Sequence, residues 1–163
     1  MILAGAARQR ETISAITLNV NNTTGSITMF TLTGTVELLK LWGEVTTVIS
    51  AAHTAGFVEL YDQTASPDVT LATGITLSGL LAGTMVTRFG LAGAALTLKN
   101  NAAGTVQDPT TLQTSVFTPI ILQKKTAATT ILRYTYTTTD APSSGVITWH
   151  AIWIPLSGDG YLA

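Results

Sequence analysis

Along most of the chain, β-branched or aromatic residues alternate with Thr or Ser at a period of two. The pattern occurs in SAITLNV (14–20), SITMFTL (26–32), GTVELLKLW (34–42) and GEVTTVI (43–49). It recurs in FVELYD (57–62), DVTLA (68–72), GTMVTRF (83–89), AALTLK (94–99), VFTPIIL (116–122), TTILRYTYT (129–137) and VITWHAIWI (146–154). Successive side chains of an extended strand point to opposite faces, so each segment reads as β. Turn residues divide them, among them Asn21-Asn22, Thr33-Gly34, Ser66-Pro67, Asn100-Asn101, Asp108-Pro109 and Pro142-Ser143-Ser144-Gly145. Many short strands without a sustained helical period predict an all-β sandwich or barrel. Only Val48–Thr54, where the alternation breaks, leaves room for a short helix. Pro119 and Pro155 cannot donate to a ladder, which predicts strand edges or ends for both.

The segment 146–154 departs from the common pattern. Ile147, Trp149, Ala151 and Trp153 fall on one face, and Val146, Thr148, His150, Ile152 and Ile154 on the other. In 129–137, by contrast, Leu132, Tyr134 and Tyr136 oppose Arg133, Thr135 and Thr137, the pattern of a strand with one wet face. Two mostly apolar faces predict cover on both sides, by a core and by a partner subunit or loop. An exposed tryptophan platform for a glycan would carry flanking Asp, Asn or Arg, and these are missing. A glycan ligand is the weaker reading.

Composition points the same way. In 163 residues only 10% are charged, 46% are hydrophobic, and the net charge is −1. Threonine outnumbers all charged residues together. A lone subunit usually keeps its surface wet with Lys, Arg, Asp and Glu. Here hydroxyls must supply the polar surface, or other subunits must cover part of it. The length suits one domain. Without a dense basic footprint, no nucleic-acid partner is expected. The stretch Leu71–Leu98 is too regularly broken by Gly, Thr and Ser to cross a membrane as a helix, and no membrane partner is expected. Residues 1–12 lack alternation and read as an extended arm, with 13–163 as the sandwich domain. Their order, apolar before basic, is the reverse of a secretory signal.

Candidate chemistry is sparse. There is no cysteine, so no disulfide and no thiolate ligand or nucleophile. No G-x-S-x-G elbow occurs. Glu37 and Glu44, seven apart, fall on opposite faces of an uninterrupted strand. His53 and His150 have no companion ligands at metal-binding spacing. The chain is therefore read as a non-enzyme with no catalytic residue, no cofactor and no metal.

The run Gly145-Val146-Ile147-Thr148-Trp149-His150-Ala151-Ile152-Trp153-Ile154-Pro155-Leu156-Ser157 resembles the last strand of small tailed-bacteriophage virion proteins. Met29–Thr47 is similar to their N-terminal strands. These are decoration (cement) or head-fibre-like proteins with a jelly-roll-type β-sandwich. The resemblance implies a structural homotrimer on the outer surface of an icosahedral phage head, assembled in the bacterial cytoplasm and bound to the major capsid protein. The arm, with Arg8, Arg10 and Glu11, would contact the capsid. Trp42, Trp149, Ile152 and Trp153 would pack subunits together. A receptor- or glycan-binding head of a tail or fibre is the alternative, and a major jelly-roll capsid protein ranks below it.

Overall fold

The computed structural model describes residues 9–18, 24–50, 53–64, 68–88, 96–99, 119–124, 128–138 and 144–163. Among these residues there is no helix, and all strand pairings are antiparallel. The strands are β1 (Arg10–Thr17), β2 (Thr24–Thr33), β3 (Thr35–Thr47), β4 (His53–Asp62), β5 (Val69–Ile75) and β6 (Met85–Arg88). They continue as β7 (Leu96–Lys99), β8 (Ile120–Gln123), β9 (Thr130–Thr138), β10 (Val146–Pro155) and β11 (Tyr161–Leu162). One sheet runs β1-β10-β3-β6-β7, with β8 also paired to β3. The second runs β11-β2-β9-β4-β5. Their inner faces share one hydrophobic core, as in a β-sandwich.

Alternation decides which residues enter that core. On β10 the odd positions Ile147, Trp149, Ala151 and Trp153 are buried, and the even ones stay half-exposed. On β9 Leu132, Tyr134 and Tyr136 are buried, as the sequence pattern predicts. Large rings need space, and two glycines provide it. Gly43 pairs with Trp149 across β3 and β10, and a Cβ there would crowd Ile147 and the Trp149 indole. A Cβ at Gly56 would fall on the Tyr134 hydroxyl.

Two sequence expectations change. Strand β3 runs unbroken through Gly43, merging the 34–42 and 43–49 segments. Its pairing with β10 slips where Leu38 faces Trp153 and Lys40 faces Ile152, leaving Leu39 as an extra residue. Such a bulge resets the inward–outward phase. Val36 and Leu38 point inward before it, and Leu41, Gly43 and Val45 after it. Glu37 and Glu44 therefore share the outer face instead of opposing each other. In addition, 48–50 is not helical, and His53 opens β4. Pro155 ends β10 and Pro119 immediately precedes β8, as expected of residues that cannot donate.

Candidate functional site

The arm residues come first. Arg10, Glu11 and Thr12 belong to β1 and pair with Trp153, Ile152 and Ala151 of β10. They form a sheet edge instead of a free arm. Arg8 lies outside the described residues. The Arg10 guanidinium sits 5.3 Å from the centroid of the Trp153 ring, a cation–π arrangement. The Trp153 indole N–H donates to Thr12 Oγ1 at 3.0 Å, and Thr12 Oγ1 donates to the Leu162 carbonyl at 2.7 Å. Tyr161 meets the same indole edge-on, with centroids 5.6 Å apart. Trp153 thus ties β1 of one sheet to β11 of the other along one side of the sandwich.

Trp149 lies deeper, with its ring 5.7 Å from Tyr134. Tyr134 is 5.8 Å from Tyr136, and Tyr136 is 4.7 Å from His53. All four side chains are buried. Among the described residues, neither ring nitrogen of His53 has a hydrogen-bond partner, nor has the Tyr134 hydroxyl or the Trp149 indole N–H. Burial pushes the His53 imidazole down to about 4, because the charged form has lost its water. Burial first, and the neighbouring Tyr136 second, push the Tyr134 phenol well up. Trp149 and Trp153, two of the three tryptophans expected to pack subunits, are therefore core residues. Neither reaches a surface on which another subunit or a sugar would sit.

Trp42 and Ile152 are different. Both lie on the outer face of the β1-β10-β3 sheet and remain partly exposed. Cross-strand register arranges that face in rows. Glu11, Ile152 and Lys40 form one row; Ile13, His150 and Trp42 form the next. The His150 ring stacks flat on Trp42, at 4.8 Å with 4° between the planes, and its Nδ1 lies 3.0 Å from Glu11 Oε1. Ile13 is 57% exposed at one edge, and Ile121 of β8 is 67% exposed beyond Glu37.

The opposite outer face, on β2, β9 and β4, carries a polar network beside the half-buried Phe57, Tyr61 and Ile131. Arg133 donates from Nε to Glu59 Oε1 at 2.5 Å and from Nη2 to Asp68 Oδ2 at 2.9 Å. Its guanidinium lies 3.8 Å from the Tyr61 ring centroid. Thr135 donates to Glu59 Oε1 at 2.7 Å and shares a 3.0 Å hydrogen bond with Ser26. Nothing in the sequence pattern pairs these residues, although Arg133 falls on the outward face there. Among the described residues, no group of three or more His, Asp or Glu side chains converges as a metal site. None of the described helices is long and apolar enough to cross a membrane, since none is present.

The geometry defines an antiparallel β-sandwich with one ion-paired outer face and one aromatic, partly apolar outer face. No family model, curated protein or solved structure matches the chain.

Proposed function

We propose that the protein is a structural subunit of a bacteriophage virion, a decoration or cement protein that forms a homotrimer on the outer surface of the head. The major capsid protein is its partner, and it carries out no chemistry of its own. The observation that carries this reading is the outer face bearing Ile13, Trp42, Ile152 and Ile121, on a chain with very few charges. Exposed apolar surface on a sheet marks an interaction site.

The strand orders support a jelly-roll reading. β1-β10-β3-β6 and β2-β9-β4-β5 follow the double Greek key of eight strands, with β7, β8 and β11 as additions. Repeating one modest contact patch on a symmetric lattice gains strength through multivalency, which suits a subunit that clamps a shell. The glycan-binding alternative loses its two obvious platforms, because Trp149 and Trp153 are buried.

Immunogold labelling of particles released from cells carrying the gene tests the reading. Gold distributed over heads is expected. Gold confined to tail tips would favour the receptor-binding alternative, and particles without gold would overturn the virion assignment.

A further inference from the structure

We infer that the outer face of the β1-β10-β3 sheet is the surface through which copies of this chain bind one another, head to tail, with the β1 edge of one copy against β3 of the next. This rests on the assembly part of the reading above and not on capsid binding. Three features of the face point to a second copy.

Its rows are complementary from end to end. In one row the anionic Glu11 stands at the β1 edge and the cationic Lys40 on β3, with Ile152 between them. In the adjacent row Ile13 stands at the edge and Trp42 on β3, with His150 between. When the β1 edge of one copy meets β3 of the next at the same level, Glu11 meets Lys40 and Ile13 meets the Trp42 ring. Opposite charges align, and apolar groups align beside them. Contact between two different patches of one surface closes into a ring when the rotation permits, and a trimer is such a ring.

Most of the charges there are also uncommitted, Glu11 excepted, which meets His150. Among the described residues Lys40, Glu37 and Glu44 make no ion pair within the chain. On the other outer face, Arg133, Glu59 and Asp68 already satisfy one another.

The edge of β1 has no neighbouring strand among the described residues, so a second copy can approach it.

Sedimentation velocity on the full chain tests the inference, with Ile13→Glu and the charge reversals Glu11→Lys and Lys40→Glu, alone and together. The wild type is expected to sediment as an oligomer. Ile13→Glu should raise the dissociation constant about a hundredfold or more, with thermal melting of the diluted protein unchanged. Each single charge reversal should weaken association, and the double reversal should restore it. That restoration also guards against a misfolded Ile13→Glu protein. A wild type that stays monomeric at high concentration would overturn both this inference and the trimer. An oligomer indifferent to all four variants would overturn this face alone, leaving trimer and virion readings intact.

Discussion

The two outer faces of the sandwich differ in how far each completes itself. On the β2-β9-β4 face, Arg133 is held by Glu59 and Asp68 and lies over Tyr61, and Thr135 and Ser26 extend the network. On the β1-β10-β3 face, Glu11, His150 and Trp42 contact one another, while Lys40, Glu37, Ile13 and Ile121 look outward. The lesson is that polar content alone does not mark a binding face. Both faces carry charges, but among the described residues the β1-β10-β3 face leaves Lys40, Glu37 and Glu44 without an ion pair.

Substitutions between the two faces, in the core, set the largest scale. Trp149→Ala should cost about 3–5 kcal/mol, measured by chemical denaturation, because it empties a large packed volume against Tyr134. An effect below about 1 kcal/mol would mean that the ring does not anchor both sheets. His53 sets the next. The unfolded chain takes up a proton as pH falls through 6.5, whereas the folded chain resists until about 4. Stability is therefore full above pH 6.5 and declines as pH drops towards 4, by up to about 3 kcal/mol. Melting temperatures across that window should flatten in His53→Phe.

The comparison of faces is broken more directly by Arg133→Ala. It strands the nearly buried Glu59, which should lower stability by about 2 kcal/mol without altering the sedimentation coefficient. Ile13→Ser should do the reverse. Its effect on monomer stability should stay within about 0.5 kcal/mol, because the side chain is largely exposed, while association weakens. If both variants changed stability and association alike, the two faces would not be separate in function.

Much of this architecture is legible in the sequence, for a definite reason. A strand buried on one side writes its face as alternation, so β9 declares its inward residues in advance, whereas β10, apolar on both faces, does not. Three things escape that rule. The bulge at Leu39 is a break in pairing, which a single strand cannot announce, and it moves Glu37 and Glu44 onto one face. Arg133 finds Glu59 and Asp68 only because β4 and β5 fold alongside β9. The apolar outer face of β10 suggests a partner for that strand. The tryptophans most visible in the sequence, however, belong to its inner face, and β3 supplies the outward ring, Trp42.

The extra residue in β3 also bears on how the protein can vary over time. Losing Leu39 would shift half of the strand by one position, sending Val36 and Leu38 outward and Glu37 into the oily interior. Exchange of Leu39 for another residue leaves the count intact. This strand should therefore accept changes of letter far more readily than changes of length, and inherited deletions there should be purged even where substitutions persist.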